Sequence, residues 1–542
     1  MRSRDSRRSA RWRRVFAALF FTWAPLAPVA AQVTLPTSRL WHSDERTLLT
    51  DLSVVTAIAA TRTTVFAATL GGLAVYDRGL KTWRETIGPL DGYPDRPVTA
   101  LAADPNDDSA WFAGNGYWWR YESFGRRLEQ GLLSGVADQI VLDANDPSRG
   151  AYIHSTSGWF FVARGALTAV PAGPLPAPNA RIGSLSYQQL QARLPAFDAI
   201  RFRLERDDQN RSYRLTSAGI APLTNEIFVG TDGNGAFRVD PVTYSVERLP
   251  AGILGTASGA VSAWRGQICA AGNARTSTVR RGITCFDENL GPFIYYETEG
   301  MGGLPGTQVR AVLVTERAVW AATDQGLLRA PRRGGRIQQI LTHDGLPSND
   351  VGALAAAADG VWAGTSSGLA LVADTGRLAV VAARADGPPI LSLLSTESDT
   401  LWAGTSAGLV AFLMPIGGPV VSFGGVPGLA DPIVAIARRG DTLVAASATR
   451  LVVRAGLQWQ VRDVPGRPIG EVTHVAADER NGFWVAGTQG LAYYEPARNV
   501  WNALVSPGDV PMPVRGVTAT RNYVWVATDV GVLRYQRRVL TP

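Results

Sequence analysis

The feature that most constrains this chain is a pattern that recurs along nearly its whole length. It consists of a β-type apolar pair, small residues, a polar turn, a glycine and a second apolar run. It reads VFAATLGGLAVYD from Val65, VWAATDQGLLR from Val319, VWAGTSSGLALV from Val361 and LWAGTSAGLVAF from Leu401. It returns as FWVAGTQGLAYY from Phe483 and VWVATDVGVLRY from Val524, with looser copies starting at Ala110, Ala151, Ile227 and Leu443 and an interrupted one over 268–286. The second residue of successive copies is Phe66, Trp111, Tyr152, Phe228, Cys269, Trp320, Trp362, Trp402, Val444, Trp484 and Trp525. From Trp320 onward the steps are 42, 40, 42, 40 and 41 residues. A unit this short cannot bury its own apolar face and must stack on neighbours, and a period of roughly 41 residues is that of a four-stranded propeller blade.

The expected fold is therefore all-β, a β-propeller assembly of about eleven four-stranded blades. A first strand such as 98–103 or 472–477 precedes the motif, the motif supplies the second and third strands, and a fourth follows, marked by Trp83, Trp459 or Trp501. Alternation is blurred because a blade is covered on both faces, so its strands read as continuous apolar runs. Single rings hold roughly 4 to 8 blades. Two rings are thus expected, with blades of the first in 32–250 and of the second in 251–542; one large ring is the alternative. The period breaks once, over the 76 residues from Tyr152 to Phe228. An insertion near 177–215 fits that gap, bounded by a Pro-rich stretch and helical over 187–199.

A ring must pair its first and last blades or leave open edges. The last copy runs out of chain before its fourth strand is complete, whereas 38–45 precedes the first copy and places Trp41 where Trp83 or Trp501 would be. The expectation is that the strand of Trp41 completes the blade of Trp525. One ring would then hold both ends of the chain with the other inserted into it, or the ring would be single and large.

Residues 1–31 read as an export signal: an Arg-rich start, an apolar stretch broken by Pro25 and Pro28, and Val29-Ala30-Ala31 as a small-x-small cleavage site before Gln32. That stretch is short of the ~20 residues of a membrane span. The mature protein is expected to be periplasmic or secreted. The formal charge is +7, but residues 1–31 carry +6 of it, so the rest shows no basic excess of the kind nucleic-acid binding needs. Two cysteines among 542 residues exclude a disulfide scaffold or a zinc ribbon. Cys269 stands in for the second-strand Trp and Cys285 lies three residues beyond the turn Gly282, positions that face each other across a hairpin. An oxidising compartment permits a Cys269–Cys285 disulfide tethering the loop between them; two separately buried thiols are the alternative.

Connections between blades also repeat, as DGLPSNDV over 344–351 and GGLPGTQV over 302–309. With the LAAAADGVWAGTSSGLALV that follows, this resembles the repeat of the two-component regulator propellers, the periplasmic sensor parts of hybrid two-component systems, also found as free-standing secreted proteins. The resemblance implies the propeller fold and a ligand- or partner-binding role. No membrane span, kinase or DNA-binding segment is legible here, so the family's signalling output is not expected.

Candidate catalytic residues are few. Gly364-Thr-Ser366-Ser-Gly368 and Gly404-Thr-Ser406-Ala-Gly408 match the nucleophile-elbow pattern, but that pattern needs a strand-to-helix turn and these are hairpin turns followed by strands. His42, His154, His343 and His474 share no metal-ligand spacing. Asp104-Pro-Asn106-Asp107-Asp108-Ser and Asp143-Ala-Asn145-Asp146-Pro-Ser faintly resemble calcium loops but lack the central Gly and closing Glu, and read as tight turns. The Gly-rich 300–303 opens no helix, so it is no phosphate loop. The aromatic runs 117–121 and 159–161 suit packing between blades, or stacking on sugars or peptides where they reach a surface. The reading is a non-enzymatic, exported binding or sensor-like propeller presenting loops to a glycan, peptide or protein partner, with no cofactor, metal or nucleic acid and with its ligand-binding residues unknown. A propeller-fold lyase or hydrolase and a structural part of the cell envelope are the alternatives, since fold alone does not decide function.

Overall fold

The computed structural model of the chain describes residues 32–34, 41–42 and 44–540, less 144–145, 147–148, 176–180, 183–186, 195, 256, 274–281, 298–307, 333–335, 376–377, 397–399, 415–417, 467–468, 481 and 506–507. The proposed leader, 1–31, lies outside them. Among the described residues the strands form ten sheets, one of which holds two blades, so the blades number eleven. No helix among them is long and apolar enough to cross a membrane.

Each blade is an antiparallel meander of the repeat. Blade 7 is representative: Val351–Ala357, Gly360–Thr365, Gly368–Asp374 and Leu378–Ala385, paired in that order. Blade 2 shows how little a turn requires. Its second and third strands lie within one extended stretch, Ser109–Glu122. Phe112 nevertheless stacks on Trp119 at 5.7 Å, whereas residues seven apart in a straight strand would be separated by about 23 Å. The chain must reverse between them, and Gly116, at φ +85°, takes the left-handed backbone that a two-residue turn demands.

Blades 5 to 11 close into a ring. Their innermost strands pack each on the next, from Ala257–Trp264 to Val514–Ala519, and the last packs back on the first. Closure uses the start of the chain: Arg46–Leu49 pairs with Gly531–Gln536 as the fourth strand of blade 11. The strand lies a few residues beyond the expected 38–45, because the chain turns at 42–46, where the amides of Glu45 and Arg46 both donate to the His42 carbonyl at 3.0 Å. Trp41 still takes the place of a fourth-strand Trp, its ring edge-on to Tyr535 at 5.2 Å as Trp83 is to Tyr76. The end of the chain is a short helix, Arg537–Leu540, and supplies no edge strand. Gln32–Thr34 adds a parallel fifth strand to the outer edge of blade 10.

From Leu49 the chain leaves this ring, builds blades 1 to 4, and returns alongside its own exit. Asp51 bridges Gly252, and the Ile253 amide donates to the Thr50 carbonyl at 3.0 Å. The four-blade unit is thus inserted between the closing strand and the remainder of the seven-blade ring. Its blades pack in the order 4–1–2–3. Among the described residues no comparable strand packing joins blade 3 to blade 4, so this set forms an open arc and not a second closed ring. The inserted residues explain the opening. Helices α1 (Tyr187–Arg193) and α2 (Phe197–Glu205) bury Leu190, Leu194, Phe197, Ile200 and Leu204 against Ile227, Val229 and Phe237 of blade 4, on the side where blade 3 would have packed.

Candidate functional site

In ten of the eleven blades the repeat's second-strand residue points toward a neighbouring blade and is at most 7% exposed. Phe66 lies between blades 1 and 2, Trp111 between 2 and 3, and Trp320 between 6 and 7. Trp525 closes the seven-blade ring by packing on Ile268 and Phe286 of blade 5. The exception is Tyr152, in blade 3, whose ring stays partly exposed because no blade follows it.

That face of blade 3 is built by strand alternation. On Gly150–Ser155 and Gly158–Ala163, Ala151, Ile153, Phe160 and Val162 point toward blade 2, which leaves Tyr152, His154, Trp159 and Phe161 on the opposite side. Register makes them two cross-strand pairs, Tyr152 with Phe161 and His154 with Trp159, with ring centroids 4.9 and 4.8 Å apart. All four are partly exposed. Val170, on the outermost strand, continues the row beyond Phe161 and is 51% exposed. The Nδ1 of His154 lies 2.6 Å from a carboxylate oxygen of Asp138, and both side chains reach solvent. The result is a shallow aromatic shelf with a hydrogen-bonding pair at one end. The sequence marked Trp159, Phe160 and Phe161 as an aromatic run; it did not show that Phe160 would face inward and Tyr152 join the other two.

The other aromatic run is internal. Trp118, Trp119 and Tyr121 are buried between blades, with the Tyr121 hydroxyl donating to Glu85 at 2.6 Å, and Tyr117 alone is exposed. The acidic turn 104–108 is an ion-pair hub and not a calcium loop. Arg164 pairs with Asp104 at 2.8 Å and Asp107 at 2.6 Å, Arg120 pairs with Asp107 at 3.0 Å, and Thr61 and Thr63 donate to Asp108. Burial raises the Asp104 carboxyl above its usual range. Burial also works to raise Asp107, but hydrogen bonds from Ser109 and the charges of Arg164 and Arg120 outweigh it and hold that carboxyl low. Carboxylates so committed to arginine have no need of a metal. In the second acidic turn, 144–145 and 147–148 lie outside the described residues, as does the glycine-rich 300–303.

The remaining chemical candidates are scattered. Ser366 and Ser406 sit in the turns of equivalent hairpins, and the Ser366 hydroxyl donates to that of Ser348 at 2.9 Å. His343 is exposed on a connection and His42 lies near the chain start. His474 is on the innermost strand of blade 10, just past a β-bulge, where other bulged blades carry Ala57, Ala100, Ala311, Ala353, Ser392 or Gly516. Burial alone pushes its pKa down to about 4, so the imidazole is neutral. Among the described residues no three His, Cys, Asp or Glu side chains gather as a metal site. Cys269 and Cys285 are disulfide-bonded, directly opposite each other in register with Cα atoms 4.1 Å apart.

The cleft where the chain crosses between the two blade sets is lined by Asp51, Ser53, Asn234, Arg248 and Tyr295. Asp51 there accepts the Ser53 amide at 2.8 Å, and burial raises its pKa. This carboxyl pins the crossover.

Several known structures superpose on this chain to differing degrees. PorZ, described as an essential bacterial surface component of the type-IX secretion system of Porphyromonas gingivalis, superposes with a TM-score of 0.54 at 11% identity, over 91% of this chain and 87% of PorZ. The likeness is one of fold. The extracellular domain of a putative hybrid two-component system from B. thetaiotaomicron gives a TM-score of 0.42 at 12% identity, over 88% of this chain and 74% of that one. Virginiamycin B lyase from Staphylococcus aureus gives 0.41 at 11% identity, over 52% of this chain and 94% of the lyase. No family model matches the sequence, and no curated protein matches it.

Proposed function

We propose that the chain is an exported, non-enzymatic binding protein of the two-component regulator propeller type, and that it holds its partner on the open face of blade 3. The observation that carries this reading is Tyr152. It occupies a position the repeat buries everywhere else, and it is left at the surface beside three further rings because a helical insertion covers the blade that would have hidden them. Partly exposed apolar rings grouped on a rigid sheet, with a few polar groups at the rim, are what a recognition surface requires. Apart from the His154–Asp138 pair on this same face, the candidates for acid–base, nucleophilic or metal chemistry lie in turns, in ion-pair hubs or alone. Export rests on the leader, with the mature chain beginning at Gln32.

The test is a photo-crosslinking amino acid placed at position 159 of the protein exported by its native host, with position 457 on a distant blade as control. Crosslinks formed at 159 and missing at 457 are expected, and the crosslinked chain should have the mass of one that starts at Gln32. Equal labelling at the two positions would refute the binding face. A stable complex with envelope proteins that ignores both positions would move the protein to the structural class.

A further inference from the structure

On the seven-blade ring, away from blade 3, we propose that the seam between blades 5 and 6 is a phosphate-binding site, with Arg265 and Arg332 as its donors and Trp264 as the platform that holds them. The hairpin of Ala257–Trp264 and Gln267–Asn273 ends in the turn Arg265-Gly266, so Trp264 and Gln267 oppose each other on its last rung. Arg332 reaches the same rung from blade 6, directly after the strand Gly326–Pro331. The guanidinium carbons of Arg265 and Arg332 lie 4.8 and 4.7 Å from the centroid of the Trp264 ring, so two cations share one half-buried indole. Only neutral groups hold Arg332 further: its Nε donates to Gln267 Oε1 at 2.7 Å and a terminal N–H to the Glu316 carbonyl at 3.3 Å. Among the described residues neither guanidinium pairs with a carboxylate.

Other stacked arginines of this chain are neutralised. Arg46 on Trp41 pairs with Asp91, Arg78 on Phe228 with Glu226, Arg120 on Trp111 with Asp107, and Arg329 on Trp320 with Asp374. Like charges held together without an acid repel, and a bound anion removes that repulsion. Nor does the turn itself call for arginine. Arg265 and Gly266 have φ of +46° and +81°, and a two-residue turn with both residues left-handed favours Asn-Gly. Each arginine presents a planar fork of N–H donors. A carboxylate has one charge and two oxygens, which a single fork satisfies. A phosphate monoester has up to two charges and three terminal oxygens, and so answers both forks at once. That group is the same on a soluble ester and on a lipid headgroup.

The experiment has two arms on the full mature chain. One is calorimetric titration with phenyl phosphate and, for comparison, benzoate; the other is flotation with phosphatidylcholine vesicles with and without phosphatidic acid. The informative variant is Arg265→Asn, which removes the charge and suits the turn, so folding is spared. Phosphate binding is expected to be about tenfold tighter than that of benzoate, and to weaken about tenfold in Arg265→Asn and in Arg332→Gln, the scale of one charge-assisted contact. Arg265→Lys, which keeps the charge and loses the fork, should recover part of the affinity. Arg214→Asn, which removes an exposed arginine paired with Asp232 on blade 4, should change nothing. Binding of phenyl phosphate without the vesicles supports the site and assigns it to a soluble ester. Binding of phosphatidic acid vesicles alone, lost in Arg265→Asn, supports the site and assigns it to a headgroup. Benzoate bound as tightly as phenyl phosphate overturns the ligand class. Phosphate binding that ignores both substitutions, or no binding in either arm, overturns the site.

Discussion

Trp111 and Tyr152 occupy the same repeat position in consecutive blades, and the open arc predicts unequal consequences for removing them. Trp111 is fully buried between blades 2 and 3, against Trp118 at 5.7 Å and beneath the Arg120 guanidinium. Truncating a buried Trp to Ala costs about 3–5 kcal/mol, part transfer free energy and part cavity. Among the described residues its indole N–H has no hydrogen-bond partner, so about 1 kcal/mol of desolvation cost is relieved at the same time. The net loss for Trp111→Ala is then about 3 kcal/mol. Tyr152 contacts Phe161 but has no blade above it, so its substitution leaves a dent open to water and no sealed cavity; about 1 kcal/mol is expected. For a unit of about 200 residues each kcal/mol moves a melting transition by about 2–4 °C. Differential scanning calorimetry of the mature chain should therefore show the transition of the four-blade unit lowered by roughly 9 °C in Trp111→Ala and roughly 3 °C in Tyr152→Ala. Equal shifts would show that another element covers Tyr152 and that the arc is closed there.

Two further outcomes follow from the way the chain is tied. Leu48 and Leu49 point to opposite sides of the closing strand, one toward the core shared by blades 10 and 11 and the other toward blade 5. The double substitution to Ala should cost about 5 kcal/mol and make the seven-blade ring aggregate on warming, as read by light scattering; a stable, monodisperse variant would mean that closure does not depend on this strand. The Cys269–Cys285 bond spans a separation of 16 residues, and closing a loop of that length is worth about 3 kcal/mol. Alkylation of denatured, unreduced protein should label neither cysteine, and Cys269→Ala/Cys285→Ala should lower the stability of blade 5 by that order; double labelling would exclude the bond.

Much of the fold was legible because a propeller is a one-dimensional repeat. Each blade obeys the same local rules, so the small-residue second strand, the polar turn and the following Gly announce the meander wherever they occur. The need for apolar faces to be covered then implies a ring, and the missing last strand implies closure by the start of the chain. Which rung is left uncovered is a different kind of information. One residue separates Tyr152 from Trp111: two positions on, His154 stands where the other ten copies carry Ala or Gly, and a bulky polar ring there is out of place in an inter-blade core. The 76-residue gap showed that something interrupts the array, but not that α1 and α2 would fold onto blade 4 and take the place of blade 3. That choice depends on which apolar surfaces meet in three dimensions. The displacement of the closing strand from Trp41 to Arg46–Leu49 has the same origin, because the place of Trp41 in the repeat could be read from the sequence, whereas the turn at 42–46 is set by backbone bonds made only once the ring is assembled. Sequence thus determined the unit and its number. The exposed aromatic shelf exists only because tertiary packing left one of eleven equivalent faces without a neighbour.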